Sequence, residues 1–227
     1  MNDEELRRAL RLVVITDRRM AAPRSVENVV TEALEGGARA IQLRDKRAGA
    51  HELLASARRL LRLTRPAGAL LIVNDRVDVA LAAGAQGVHL GPGDLPLRTV
   101  RGALPGSFVI GYSTDDPEEA IRAEGAGADY IGCGAVFPTA SKDVGDEAIG
   151  VEGLDAVARA VSVPVLGIGG ITPDRAAAVA ATAATGVAVI GAVMGAEDPR
   201  HAVRSLLAPF EARAKTWEPE EEPGRGR

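Results

Sequence analysis

Two short apolar runs in this chain end in side chains that bind hard cations. Asn74 and Asp75 follow the run at 70–73, and Asp94 follows the run at 87–90 after a Gly-Pro-Gly break. If the runs are neighbouring strands, the two carboxylates converge at one sheet edge. Two carboxylates with few other ligands suit Mg²⁺, which keeps several waters and takes substrate phosphates. The pair predicts a magnesium site, although Asp75 alone also fits a helix N-cap and Asp94 alone fits a turn.

Three polar side chains follow the preceding apolar run. Gln42, Arg44 and Lys46 alternate in sequence, so an extended backbone places them on one face. Arg44 can grip a diphosphate with two hydrogen bonds, and Lys46 can add a point charge. The spacing therefore predicts a diphosphate site; the alternative is a solvated strand end paired with Asp45.

Hydroxyl groups and a lysine follow two later apolar runs. Ser113 follows the run at 109–112 and can donate to a phosphate or a ring nitrogen, or act as a turn or cap residue. Thr139 and Ser141, followed by Lys142, form a candidate oxyanion cradle.

Glycines follow the last two runs. Gly169 and Gly170 follow one, and Gly191 follows the other, so backbone N–H groups can approach an anion closely. In barrels of alternating strands and helices, the loops after strands seven and eight are the common phosphate site. His89 points into such a site or is a satisfied core histidine, and Cys133 is interpreted as a buried small side chain.

The elements that must position these residues alternate in a regular way between residue 12 and about residue 214. Near-continuous runs of Val, Ile and Leu predict strands buried on both faces, and hence a parallel sheet. Amphipathic stretches between them predict helices that begin near 25, 50, 77, 96, 117, 151, 173 and 199. The eight predicted strands are 12–16, 40–43, 70–73, 87–90, 109–112, 130–132, 163–167 and 187–190.

Eight such units with right-handed crossovers predict a single (β/α)8 barrel, the TIM barrel. An open doubly wound sheet is the alternative, disfavoured because no Gly-x-Gly-x-x-Gly follows the first strand. The predicted organisation is a lead-in helix at 1–11, a catalytic barrel at 12–214 and a disordered acidic tail at 215–227. Residues 140–150 are predicted to form a polar loop that acts as a lid.

Composition excludes several classes of function. The net charge of -4 gives no electrostatic case for nucleic acid. No apolar run approaches the roughly 20 residues that cross a bilayer, and the acidic first residues lack a signal-peptide core. A single cysteine suits a reducing cytoplasm. The expected partners are small molecules, and an oligomer is possible.

The chain resembles the thiamine-phosphate synthase family over about residues 12 to 210. The resemblance rests on five ordered motifs: Gln42 to Lys46, Val73 to Arg76, Gly87 to Gly91, Gly134 to Lys142, and Gly167 to Ile171. It implies a transferase that condenses hydroxymethylpyrimidine diphosphate with a thiazole phosphate (or its carboxylate) to give thiamine phosphate and diphosphate. Departure of diphosphate, assisted by Mg²⁺, leaves a pyrimidinylmethyl cation, which the thiazole nitrogen attacks.

The resemblance also implies roles for individual residues. Asp75 and Asp94 hold Mg²⁺, and Arg44, Lys46, Ser113 and Lys142 are assigned to catalysis. The pyrimidine diphosphate is held by Gln42, Arg44, Lys46, Asn74, Ser113 and Lys142. The thiazole phosphate is contacted by Thr139, Ala140, Ser141, Gly170, Ile190 and Gly191.

Three positions depart from the family pattern. Asp115 replaces a usual histidine, Gly191 a common serine, and Asp174 a frequent asparagine. A related thiazole tautomerase on the same barrel needs a histidine near 115 and does not need the magnesium pair, so the sequence favours the synthase. The alternatives are that tautomerase-like isomerase and a non-catalytic barrel that binds a phosphate ligand.

Overall fold

The computed structural model describes residues 1–139 and 148–215 of the chain. Its eight parallel strands close into a barrel in sequence order, with the first strand paired to the last. This closure confirms the predicted (β/α)8 barrel and excludes the open doubly wound sheet. The strands are β1 Leu12–Ile15, β2 Ala40–Leu43, β3 Leu70–Asn74, β4 Gly87–Leu90, β5 Val109–Ser113, β6 Tyr130–Cys133, β7 Val165–Ile168 and β8 Gly186–Val189.

Helices cover the outside of the barrel, and most begin where sequence chemistry predicts. Ser25 and Asp116 accept hydrogen bonds from the first backbone N–H groups of their helices, and Asp198 does so ahead of the last helix. The helices are α1 Asp3–Ala9, α2 Arg18–Ala21, α3 Val26–Gly36, α4 Ala50–Thr64, α5 Val77–Ala83, α6 Leu97–Ala103, α7 Pro117–Gly125, α8 Gly150–Ala160, α9 Ala176–Ala180, α10 Gly191–Met194 and α11 Pro199–Lys215.

One predicted helix start is wrong. Thr172 and Pro173 resemble a cap followed by a first-turn proline, but α9 begins only at Ala176 and has no side-chain cap. The Thr172 carbonyl instead accepts from the N–H groups of Arg175 and Ala176, at 3.0 and 3.1 Å. These bonds form a turn that precedes the helix and keeps Thr172 at the edge of the barrel.

Alternate residues of each strand face different surroundings. On β6, Ile131 and Cys133 pack in the large core between sheet and helices, while Tyr130 packs in the smaller core inside the barrel. On β1, Val13 and Ile15 belong to that inner core. The period of two therefore assigns one face of every strand to helix packing and the other to the barrel interior.

The first helix closes the amino-terminal end of the barrel. Leu6 of α1 and the following Leu10 belong to the inner core with Leu70 and Val109, the first residues of β3 and β5. The helix carries a capping box, in which Asn2 and Glu5 bind each other's backbone N–H groups. The predicted lead-in helix thus fills one mouth of the barrel, which leaves the carboxyl-terminal mouth for a site.

Two predicted segments lie largely outside the described residues. Residues 140–147 of the predicted lid and residues 216–227 of the predicted acidic tail lie outside the described part of the chain.

Candidate active site

A cavity of about 640 Å³ opens at the carboxyl ends of the strands. The structure brings together in its wall every predicted site residue that it describes. These residues are Gln42, Arg44, Lys46, Asn74, Asp75, Asp94, Ser113, Thr139, Gly170, Ile190 and Gly191. The remaining three, Ala140, Ser141 and Lys142, lie outside the described residues.

The carboxyl groups of Asp75 and Asp94 face each other within hydrogen-bonding range. Burial raises the pKa of Asp75, and the nearby charge of Asp94 raises it further. The Asp94 carboxylate accepts a hydrogen bond from the Gly91 N–H at 2.7 Å. Asp94 therefore belongs to a turn and also faces its partner across the site.

Asp75 does not cap the following helix, whose N-cap residue is Arg76. Its backbone lies in the left-handed region, at φ 62°, and its N–H donates to the His89 carbonyl at 2.8 Å. This unusual conformation directs the carboxylate into the cavity. The neighbouring Arg76 and Asp78 form an ion pair with each other at 2.6 Å.

Two cations lie beside the carboxylate pair. The charges of Lys46 and Arg44 lower the pKa of Asp75, although less than burial and Asp94 raise it. Asp45, the residue between these cations, binds Arg18 instead. Within residues 1–139 and 148–215, neither Arg44 nor Lys46 has a carboxylate at salt-bridge distance. Both cations can therefore bind an anionic ligand, and a pairing with Asp45 is not seen.

The opposite wall is built from glycine-rich backbone. Gly169 and Gly170 have φ values of 96° and 62°, which favour glycine. A Cβ at Gly170 would lie 2.6 Å from the Pro138 carbonyl, so the loops after β6 and β7 pack backbone to backbone. Gly191 begins α10 in the same wall. Close backbone approach of this kind suits a phosphate group.

Sequence reasoning missed part of the cavity floor. His89 is buried, as expected of a core histidine, but it also lines the cavity together with Tyr130. Tyr130 was not predicted as a site residue. One signal was available: Tyr130 is one of few aromatic residues in the chain, and it alternates with Gly132 on its strand.

Of the three positions that depart from the family pattern, only one lines the cavity. Asp115 and Asp174 are exposed and do not line the cavity, whereas Gly191 does. Cys133 is buried on the helix-facing side of β6, as predicted.

The carboxylate pair is chemically suited to a hard cation. Within residues 1–139 and 148–215, no group of three or more His, Cys, Asp or Glu side chains is placed to hold a metal ion. Mg²⁺ held by two carboxylates usually takes its other ligands from water or from substrate oxygens.

Fold and site together define a class: a (β/α)8 barrel that combines carboxylates, cations and glycine loops at its carboxyl-terminal mouth, as barrels for phosphorylated ligands do. Residues 12–193 match the family model described as thiamine monophosphate synthase, and the chain belongs to that family.

Individual relatives agree with this assignment. The chain is 51% identical over 195 residues to thiamine-phosphate synthase of Roseiflexus sp. (strain RS-1), covering 86% of this chain and 83% of the relative. It is 50% identical over 201 residues to the enzyme of that name from Pyrococcus furiosus, covering 88% and 95%. These matches confirm the family resemblance and the prediction of a transferase.

A solved structure agrees as well. Thiamine phosphate pyrophosphorylase from Pyrococcus furiosus superimposes with a TM-score of 0.83 at 47% identity, over 91% of this chain and 98% of that one. Among the residues that the structure describes, no helix is long and apolar enough to cross a membrane.

Proposed function

We propose that this protein condenses hydroxymethylpyrimidine diphosphate with a thiazole phosphate to give thiamine phosphate and diphosphate. The observation that carries the proposal is the meeting, in one cavity, of a carboxylate pair, two cations that form no salt bridge with the described residues, and a glycine-rich wall. Membership of the thiamine monophosphate synthase family supports it. Each component matches a need of this reaction.

The diphosphate binds at the end of the cavity that holds Arg44 and Lys46. These side chains neutralise the charge that accumulates on the departing diphosphate, which lowers the barrier to breaking its carbon–oxygen bond. Lys142 joins them by the family resemblance, and Asn74 and Gln42 orient the substrate.

Asp75 and Asp94 hold Mg²⁺ in this proposal. Their mutual repulsion supports the role, because a divalent ion between them would replace an unfavourable interaction with a favourable one. When bound, the ion supplies positive charge to the diphosphate oxygens.

The thiazole phosphate binds at the glycine-rich wall. Backbone N–H groups at Gly170, Ile190 and Gly191 hold its phosphate, and Thr139, Ala140 and Ser141 complete the binding site by resemblance. Gly191 supplies no hydroxyl, so this end of the site depends on backbone donors.

No protein nucleophile is needed. The ring nitrogen of the thiazole forms the new bond to the pyrimidine methylene as diphosphate leaves with the bonding electrons. Ser113 contributes by donating a hydrogen bond to the pyrimidine diphosphate. Cys133, which faces away from the barrel interior, takes no part. The expected partners are these small molecules, and the proposed location is the cytoplasm.

An assay with both precursors and Mg²⁺ tests the proposal. Thiamine phosphate and diphosphate should form in equal amounts, with none formed when either precursor or the metal is omitted. Conversion of a thiazole isomer without the pyrimidine or Mg²⁺ would instead identify an isomerase. Binding of both phosphates without any product would identify a non-catalytic barrel.

A further inference from the structure

Four polar side chains form a hydrogen-bonded chain across the floor of the cavity. The Nε2 atom of His89 lies 2.8 Å from Ser113 Oγ, and its Nδ1 atom lies 2.9 Å from the Tyr130 hydroxyl. The Gln42 side chain forms a hydrogen bond to Tyr130 on the far side. Three of the four are buried, with Tyr130 only 1% exposed. The chain therefore joins β5, β4, β6 and β2 beneath the ligand space.

Two glycines leave the room that this chain occupies. A Cβ on Gly111 would lie 2.1 Å from Cζ of Tyr130 and 2.4 Å from Nδ1 of His89. A Cβ on Gly132 would lie 3.2 Å from Cε1 of His89. Because the two rings fill these spaces, their positions are tightly fixed.

The partners of Tyr130 determine where its proton lies. Burial raises the pKa of Tyr130, so the phenol stays protonated, and the nearby Gln42 side chain opposes that rise. A buried phenol needs an acceptor for its proton, and Nδ1 of His89, 2.9 Å away, is in place to accept it. With its proton used in this way, the phenol oxygen can only accept from the Gln42 amide. The imidazole then carries its own proton on Nε2 and donates it to Ser113.

This assignment makes one end of the hydrogen-bonded chain a donor to the ligand and the other end an acceptor. Ser113 accepts from His89, so its own O–H is available to donate to a ligand. Gln42 uses an N–H on Tyr130, so its carbonyl oxygen is available to accept. The opposite tautomer would point two donors at Tyr130 and cost a hydrogen bond in a buried place.

We propose that His89 and Tyr130 are positioning residues that fix this polarity, so that the floor selects a ring with an acceptor for Ser113 and an amino group for Gln42. The inference rests on the proposed function and gives it a reason for substrate choice. An aminopyrimidine offers both groups. Its 4-oxo counterpart reverses them, with a carbonyl in place of the amino group and an N–H in place of the ring acceptor.

Binding of two unreactive ligands tests the proposal. Calorimetry would compare the 4-amino hydroxymethylpyrimidine monophosphate with its 4-oxo counterpart, using wild type, Tyr130→Phe, His89→Gln and His89→Asn. Wild type should prefer the amino ligand. In Tyr130→Phe, which removes one oxygen and keeps the ring, the preference should fall roughly tenfold because the phenol no longer fixes the orientation of Gln42 or the tautomer of His89.

The two histidine variants form a matched pair. The longer glutamine can place an N–H where Nε2 lies and keep the donation to Ser113, so most of the preference should survive. Asparagine reaches only the Nδ1 position and should lose the preference. In steady-state assays, Tyr130→Phe should raise KM for the pyrimidine and leave KM for the thiazole unchanged.

The outcomes separate the inference from the proposed function. If Tyr130→Phe binds the amino and oxo ligands with the same affinity ratio as wild type, because both are weakened equally or neither is, the positioning role is overturned. The proposed function stands in that case as long as wild type still makes thiamine phosphate. Wild type that binds neither ligand and makes no thiamine phosphate overturns both. If His89→Asn does not fold, the conservative Tyr130→Phe variant still decides the question.

Discussion

Asp75 combines an unfavourable backbone with an unfavourable charge. A left-handed conformation costs a residue other than glycine roughly 1–2 kcal/mol, with Asp and Asn the more tolerant. Its carboxyl group also faces Asp94 and is partly buried, which raises its pKa. Such strain persists where the surrounding structure enforces it, commonly at functional sites.

We predict that Asp75→Asn raises the melting temperature of the metal-free protein and abolishes its stabilisation by Mg²⁺. A raised pKa means that the folded state disfavours the carboxylate, so stability is lost as pH rises through that pKa. Asparagine removes the charge and tolerates the left-handed backbone, whereas alanine would add strain. Thermal denaturation at neutral pH, with and without Mg²⁺, measures both effects.

Asp78→Asn is the matched control, because Asp78 lies three residues away and pairs with Arg76 outside the cavity. It should keep the full response to Mg²⁺. An Asp75→Asn protein that Mg²⁺ stabilises as well as wild type would contradict the metal role.

A second prediction concerns the partly buried pair of Arg101 and Asp129. Arg101 also donates to the carbonyls of Gly127 and Phe108, at 3.0 and 2.9 Å. Burial raises the pKa of Asp129 above its ordinary value, and the Ile110 N–H and Arg101 oppose that rise. Arg101→Met should therefore destabilise the protein, and by more at pH 8 than at pH 4.5, because the unpaired carboxylate is disfavoured once it ionises.

Denaturant unfolding at both pH values measures this difference. Arg122→Met, at an exposed ion pair, should have a small effect at either pH. A loss that is equal at the two pH values would show that only the bonds to the carbonyls matter.

At the residue scale, the sequence identifies site residues whose partners in the site are close along the chain. Gln42, Arg44 and Lys46 were found because their alternation is visible in the sequence, although β2 ends at Leu43 and the two cations lie in the loop that follows it. The pairing of His89 with Tyr130 was not, because these residues lie 41 positions apart and meet across the barrel. Their contact depends on the closure of the barrel and on the glycine opposite them.

At the scale of elements, β5 depends on the absence of a side chain at Gly111. We predict that Gly111→Ala costs about 1–3 kcal/mol of unfolding free energy, because its Cβ would overlap the rings of His89 and Tyr130. It should also weaken pyrimidine binding. Unfolding by denaturant and a substrate titration provide the two measurements.

Gly102→Ala provides the contrast within the neighbouring helix α6. A Cβ there would meet nothing within 4 Å, so alanine should stabilise the protein by about 0.5–1 kcal/mol. Destabilisation by both substitutions to the same extent would show that crowding in the barrel is not the cause.

Local chemistry predicted the long elements well and the short ones poorly. Helices with a side-chain cap and several turns of apolar spacing, such as α3 and α7, begin where expected. The four-residue helices α2 and α10 are too short to show a period. The start of α9 was misplaced because Thr172 and Pro173 form a turn that resembles a cap in sequence.

The whole barrel depends on its closed amino-terminal end. Leu10 is fully buried in the inner core, far from the predicted site. We predict that Leu10→Ala lowers the unfolding free energy by about 2–5 kcal/mol and leaves both KM values unchanged. Leu81→Ala, at a residue 51% exposed, should have little effect on either quantity. A changed KM in folded Leu10→Ala protein would mean that packing at the closed amino-terminal end also shapes the site.

The alternation of side chains along each strand has a consequence for how this protein can change over time. On β6, outward Ile131 and Cys133 hold the helices, while inward Tyr130 and Gly132 border the cavity. Adjacent residues of one strand are therefore under different selection: the outward residue is selected for the stability of the fold, and the inward residue for ligand binding and catalysis. A library that varies only the inward-facing residues at the carboxyl ends of the strands should yield enzymes with new ligand preferences. Their unfolding free energy should stay close to that of the parent.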